Sequence, residues 1–201
     1  KQPHAMLALG TCHLCGYLVE EDFLQGRSFL MEAANRGMPE AASALAEFHY
    51  DRHFEHYSPA LAYGYAYKAF KLDSTYPPTV FVTLLLDHFG PMSNNLANAG
   101  NILRNFHPLT KQDREELDRL RTAYNDAVKT AQDFIRKNRK IALSTDDPEL
   151  LYQIGKYAIS LTEAPSENDD ASFYFERASL LGHMQAGLEL ARIYLYQGVG
   201  S

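Results

Sequence analysis

The sequence predicts an all-α fold: an α-solenoid of antiparallel helix pairs with a long helical insertion in the middle. The first observation is a repeat, because residues 1–50 match residues 146–195 at a constant offset of 145 without a gap. The matches include Leu9-Gly10 with Ile154-Gly155, Gly37 with Gly182, and Leu45-Ala46 with Leu190-Ala191. The second observation is a shorter period, since Ala5 returns as Ala41, 36 positions later. Fixed periods of this size are typical of stacked helical repeats, and no segment needs to be a strand.

Helices are expected along the whole chain, since apolar and small residues recur at steps of three and four between start and stop signals. The predicted helices span residues 3–18, 22–36, 39–52, 59–72, 78–89, 94–106, 111–142, 148–162, 168–181 and 184–196. Ser58-Pro59 and Asp147-Pro148 each place a capping side chain before a proline at the first helical position. Ser166 with Asp169 resembles a capping box. Gly37 and Gly182 stand where helices should stop, because glycine adopts the left-handed conformation at least cost.

The second helix of each pair carries a small residue, an aromatic residue three positions on and another small residue four further. The sets are Gly26, Phe29 and Ala33; Ala62, Tyr65 and Ala69; and Ala171, Tyr174 and Ala178. On a helix these positions form one stripe, which lets two helices approach closely while the ring fills the space between them. Tyr63, Tyr65 and Tyr67 alternate with small residues as in a strand, but the shared register favours a helix.

Residues 77–145 depart from the period, and a continuous helical pattern over 111–142 is the largest departure. Thr110 is its expected cap. The apolar positions follow a heptad seam formed by Leu117, Leu120, Tyr124, Ala127, Ala131, Phe134, Asn138 and Ile141. This seam needs a partner, which is either the preceding segment 94–106 folded back as a hairpin or, through self-association, a second chain.

We expect a single domain over residues 1–201. It would comprise a first repeat block at 1–76, the irregular segment at 77–145 and a second repeat block at 146–201. The net charge of −6 and the pI near 5.7 disfavour a nucleic-acid binder, which needs a basic surface. No apolar run approaches the roughly 18 residues of a membrane span. The compartment stays open, because two cysteines exclude only a disulfide-rich scaffold.

Cysteine and histidine residues near the N-terminus could hold a metal, although neither group has a complete ligand pattern. Cys12 and Cys15 form a C-x-x-C pair without the second ligand pair that a structural zinc site needs. In the repeat register Cys12 is expected to be a core thiol and Cys15 to be more exposed. His49 and His53 are four apart, as on one helical face, but no Glu follows in the arrangement that supplies a general base. We therefore expect no metal site, no cofactor and no catalytic residue.

A tyrosine and histidine patch is the predicted partner-binding site. Tyr63 and Tyr67 lie four apart and opposite Tyr65, so they face a neighbouring repeat or solvent while Tyr65 enters the seam. Exposed Tyr pairs suit recognition, because each ring supplies a large contact area with few rotamers and a polar tip. The predicted patch consists of His49, Tyr50, His53, Tyr63 and Tyr67.

The C-terminal block resembles the Sel-1-like repeat family, a branch of the tetratricopeptide-type helical solenoids. The resemblance depends on Glu176-Arg177-Ala178-Ser179, Gly182-His183-Met184-Gln185-Ala186, Leu190-Ala191, Tyr194 and Gly198-Val199-Gly200. It implies a non-enzymatic scaffold or adaptor that binds a protein or peptide partner on its concave face, without a cofactor. One alternative is a regulatory or immunity-type inhibitor that masks a toxin or enzyme. The other is a metal-binding protein that uses the Cys and His residues.

Overall fold

The structure is a computed structural model that describes residues 2–53, 55–87, 95–162 and 169–198. These residues form ten helices and no strand: α1 (Pro3–Cys15), α2 (Phe23–Asn35), α3 (Pro39–Tyr50), α4 (Pro59–Leu72), α5 (Thr79–Leu86), α6 (Asn95–Asn105), α7 (Lys111–Ala142), α8 (Pro148–Ser160), α9 (Asp169–Leu180) and α10 (Met184–Gly198). The all-α prediction is confirmed. None of the helices in these ranges is both long and apolar enough to cross a membrane.

Helices that follow one another along the chain pack as pairs, most closely α1 with α2, α3 with α4, and α8 with α9. No described helix end differs from its predicted position by more than three residues. Some sequence-based predictions fall outside the described residues: the helix ends at residues 89, 94 and 168, the capping residue Ser166, and Val199 with Gly200.

The chain divides into two compact units. Unit 1 consists of Lys1–Phe89 with Ile102–Leu120, and unit 2 of Gly90–Asn101 with Arg121–Ser201. The core of unit 1 is formed by Met6, Leu14, Leu30, Ala33, Ala34, Met38, Ala41, Ala42, Leu45, Phe48 and Ala69. The core of unit 2 is formed by Ala142, Leu151, Ile154, Ala158, Ile159, Ala171, Tyr174, Phe175, Ala178, Ala186 and Ile193. The small residues of the predicted stripes on α2, α4 and α9 are all buried, and their aromatic residues belong to these cores or pack against them.

The predicted helix ends have the expected chemistry. The Asp147 side chain accepts hydrogen bonds from the backbone N–H groups of Glu149 and Leu150, at 3.0 and 3.2 Å. Thr110 and Asp113 cap α7 reciprocally, each donating its N–H to the other's side chain at 3.0 Å. Gly37 and Gly182 have φ of +91° and +92°. Residue 38 then donates to Ala33 O, and residue 183 to Ala178 O, which satisfies a carbonyl at each helix end.

Glycines at equivalent repeat positions mark close helix crossings within each unit. A Cβ atom on Gly10 would lie 2.7 Å from Leu30 Cγ and 3.0 Å from the carbonyl oxygen of Gly26 in α2. A Cβ atom on Gly155 would lie 2.7 Å from Cε1 of Phe175 in α9. Because a Cβ atom at either glycine would overlap the facing helix, α1 and α8 need glycine at these positions for packing.

The seam predicted along α7 is only partly the one observed. Leu117, Leu120 and Ala131 are buried as predicted, and the ring of Tyr124 lies against Gly100 of α6. The expectation for the last turn is wrong, because Ile141 is 53% exposed whereas Ala142 is fully buried. A straight helix drifts about 20° per heptad away from a 3.5-residue seam, so the buried position moves by one residue along this length. Self-association through α7 stays a prediction.

Candidate partner-binding site

His49, the first residue of the predicted patch, lies inside unit 1 and not on its surface. It is 2% exposed, and its Nδ1 atom is 3.0 Å from the backbone oxygen of His56. The Tyr65 ring stacks on the imidazole at 5.7 Å, and Phe23 meets it edge-on at 6.2 Å. His49 therefore holds the loop between α3 and α4 in place, and it offers no free donor to a partner.

The expectation that His49 and His53 share one helical face is wrong. α3 ends at Tyr50, and His53 lies in the following turn, where its N–H donates to Asp51 at 2.9 Å. His53 is exposed and separate from the buried imidazole. Across the described ranges, no group of three or more His, Cys, Asp or Glu side chains is arranged to hold a metal ion. Both cysteines are free thiols; Cys15 is exposed as predicted, whereas Cys12 is half-buried and not the core thiol that the repeat register predicted.

Tyr63 and Tyr67 form the part of the patch that the structure brings together. Their rings stack at 6.4 Å, and both pack on Phe81 of α5, at 5.4 and 5.8 Å. Tyr67 is 46% exposed, whereas Tyr63 is half-buried and burial raises its pKa. Tyr65 points to the opposite side and joins the core, as predicted. Phe81 could not be predicted as their partner from the repeat pattern, because α5 lies in the segment that departs from the repeat.

Tyr50 is also tied to that segment, because its hydroxyl donates a hydrogen bond to the Asp87 carboxylate. Burial, then this hydrogen bond and the negative charge of Asp87, raise the pKa of Tyr50 to about 12. The members of the predicted patch thus have different contacts: His49 bonds to the loop after α3, Tyr50 bonds to Asp87, and the Tyr63–Tyr67 pair packs on Phe81. Partner binding by the exposed members of the patch stays a prediction.

The alkaline limit of stability tests the Tyr50 contact. An unfolded tyrosine has a pKa near 10, so between about pH 10 and 12 the unfolded chain loses a proton that the folded chain keeps. The contribution of this group is therefore complete below pH 10 and declines as the pH rises towards 12. In urea denaturation at about pH 9 and about pH 11, the natural chain should lose more stability than Tyr50→Phe. Equal losses would show that Tyr50 titrates normally.

An exposed apolar face on α10 lies outside the patch that was predicted from the sequence. We call it the α10 face; it consists of Met184, Leu188, Ala191 and Leu195, whose steps of four, three and four place them on one side of the helix. Met184, Leu188 and Leu195 are 80%, 51% and 69% exposed. Ala186 and Ile193, on the opposite side, are 0% and 1% exposed in the core of unit 2. α10 is therefore apolar on both sides but covered on one.

Further exposed apolar side chains lie near the ends of the α10 face. Leu180 is 82% exposed and Leu181 41% exposed, directly before the turn into α10, and Tyr194 is 52% exposed in its last turns. Contiguous exposed apolar surface of this kind marks interaction sites in soluble proteins, whereas single exposed residues do not. The spacing of the face was visible in the sequence, but its exposure was not.

Unit 1 contains a different feature, an open groove of about 830 Å³. It is lined by Glu47, Pro77, Pro78, Thr79, Phe106, Lys111, Gln112, Asp113, Glu115, Glu116, Leu117, Arg119 and Leu120. Lys111 lies 3.5 Å from Glu115, and Arg119 3.4 Å from Glu116, which leaves the lining net negative. Burial, together with the negative charges of Glu47, Glu40 and Asp113, raises the pKa of the adjacent Tyr76. The charge of the lining therefore favours cationic groups. The apolar side chains at the base of the groove are already buried, so they leave little apolar surface for a partner to cover.

No model of a known protein family matches this chain, and no curated protein matches it. We therefore infer its function from the residues and the geometry described above.

Proposed function

We propose that this chain is a non-enzymatic helical-repeat scaffold that binds another protein through the α10 face. The observation that supports this function most strongly is the exposure of Met184, Leu188 and Leu195 on a helix whose other side is buried. Burying one such side chain contributes about 1.5–3 kcal/mol, so the face can supply much of the affinity for a partner.

The Sel-1-like assignment and the α-solenoid arrangement belong to this proposal, with α7 as a long insertion. Two kinds of local geometry support the assignment, because they recur at the repeat offset of 145 positions. Gly10 and Gly155 both lie at crossings with the following helix. Gly37 and Gly182 both end a second helix with a positive φ. Helical repeats of this type expose large surfaces that bind proteins.

Affinity capture from the native source tests the function. The natural chain should retain a partner that Leu195→Glu loses by about ten-fold or more, because the new carboxylate would be desolvated at the interface. Leu195 is 69% exposed, so the variant should fold normally. Leu24→Glu is the matched control, since Leu24 is 74% exposed in unit 1 and its variant should capture the partner as the natural chain does. Equal capture by both variants would refute the proposal.

A further inference from the structure

The repeat register identifies the positions on other helices that correspond to the α10 face. We call α1, α3 and α8 first helices, and α2, α4 and α9 second helices, because one of each forms every pair. α10 is also a first helix, since it corresponds to α3 at the offset of 145 positions. The four corresponding positions hold Pro3, Leu7, Gly10 and Leu14 in α1; Pro39, Ser43, Ala46 and Tyr50 in α3; Pro148, Tyr152, Gly155 and Ile159 in α8; and Met184, Leu188, Ala191 and Leu195 in α10. The third position is always glycine or alanine.

These positions are covered on three of the four first helices. Every one of the twelve residues on α1, α3 and α8 is buried or half-buried, whereas all four on α10 are exposed. The cover on α1 and α8 is the second helix that follows, since Gly10 lies against Gly26 and Leu30 of α2, and Gly155 against Phe175 of α9. α4 packs on α3 in the same order along the chain. Ala191 therefore marks the point where a second helix would cross α10.

The second helices share the pattern that suits this crossing. Each has a small residue, an apolar residue four positions on and a small residue three further: Gly26, Leu30 and Ala33; Ala62, Ala66 and Ala69; and Ala171, Phe175 and Ala178. All nine residues are buried. The small residues permit close approach to the glycine or alanine of the first helix, and the apolar residue fills the space beside it.

We propose that the α10 face binds one amphipathic α-helix of a partner protein that carries this small, apolar, small pattern. The inference rests on the proposed function and names its partner class. A second copy of the chain is a poorer occupant, because its own helices of this kind are buried within their pairs. The partner helix would take the place on α10 that α4 takes on α3.

The probe is a peptide of the α4 segment, because α4 is the second helix that packs on α3. α3 and α10 correspond in the repeat register, and each follows a glycine turn. The peptide covers residues 58–73 and carries a hydrocarbon staple between positions 60 and 64, which are both exposed in unit 1. The staple is needed because an unsupported helix of this length is marginal in water. Fluorescence anisotropy should show saturable 1:1 binding to the full chain, weakened about ten-fold or more by Leu188→Glu.

Two matched controls accompany this titration. The chain variant Leu24→Glu should bind the peptide as the natural chain does, since Leu24 is exposed and belongs to α2, not to the α10 face. The peptide variant Ala66→Lys should bind at least about ten-fold more weakly, because Ala66 is 4% exposed where α4 covers α3. Circular dichroism of Leu188→Glu should match that of the natural chain, which excludes unfolding as the cause.

Three outcomes would overturn the inference. The first is no saturable binding up to about 1 mM peptide, and the second is binding that Leu188→Glu leaves unchanged. The third is a dimer in native mass spectrometry that Leu188→Glu splits, since a second copy would then cover the face. If the peptide fails while Leu195→Glu still abolishes partner capture, the proposed function stands and only the helical partner is refuted.

Discussion

Phe175→Ala should destabilise unit 2 by about 3–5 kcal/mol, which is the usual cost of removing a buried phenylalanine. Phe175 is 0% exposed, and its ring lies over Gly155 and 6.0 Å from the ring of Tyr152. The glycine gives α8 no side chain at the crossing, so no neighbouring atoms can fill the vacated space. Urea denaturation followed by circular dichroism measures the change.

Phe173→Ala is the matched control on the same helix. Phe173 is 42% exposed; its ring forms a T-shaped contact with Tyr174, and the Arg177 guanidinium lies over the ring. Its removal should therefore cost about 1 kcal/mol or less. Comparable losses from the two variants would contradict the assignment of Phe175 to the core.

A double-mutant cycle tests the contact itself. Gly155→Ala alone should destabilise unit 2, because the new Cβ would lie 2.7 Å from the Phe175 ring. In the Phe175→Ala background the same change should become neutral or stabilising, since the ring is gone and alanine is the better helix former. Additive effects of the two substitutions would show that the residues do not touch.

Helix positions were predictable from the sequence because their ends depend on local chemistry. Asp147 and Thr110 accept hydrogen bonds from backbone groups two or three residues away, and Gly182 ends its helix through its own φ. Such interactions need no knowledge of the rest of the chain. The repeat offset then extended each local prediction to its partner block.

The structure divides the predicted patch where burial depends on contacts distant in sequence, whereas partner binding by its exposed members stays a prediction. His49 is buried because the loop after α3 returns over it, and the backbone oxygen of His56 accepts a hydrogen bond from its Nδ1–H. Tyr63 and Tyr67 pack on Phe81, which belongs to a segment without a repeat counterpart. Periodicity places these residues on faces of helices, but it does not state which face another element covers.

The α10 face shows the same limit of sequence-based prediction, here for residues that are exposed. A helix that is apolar on two sides is expected to be buried on both, so the spacing of Leu188 and Leu195 does not by itself indicate exposure. Exposure became evident only from the structure, where these residues are 51% and 69% exposed. The corresponding residues of α3, Ser43 and Tyr50, are buried and half-buried, so the register identifies the kind of helix that covers these positions elsewhere in the chain.

Gly26→Ala should destabilise unit 1, although alanine is the better helix former by about 1 kcal/mol. A Cβ atom on Gly26 would lie 2.9 Å from the backbone oxygen of Gly10 and 2.9 Å from Leu14 Cδ2. A leucine side chain can rotate, but a backbone oxygen in α1 cannot, so the two helices must separate. Overpacking of this kind costs about 1–3 kcal/mol. The upper part of that range applies here, because the contacted atom is a backbone oxygen. After the gain in helix propensity is subtracted, the expected net loss is about 1–2 kcal/mol.

Gly64→Ala provides the same substitution with the opposite expected sign. Gly64 lies in the middle of α4, is exposed, and would place its Cβ atom more than 4 Å from any neighbouring heavy atom. Alanine there should stabilise unit 1 by up to about 1 kcal/mol through helix propensity alone. The two variants, compared by urea denaturation, separate close helix crossing from intrinsic propensity. If Gly26→Ala is also stabilising, α1 and α2 do not cross at the Gly10–Gly26 contact, and the repeated first-helix geometry loses its physical basis.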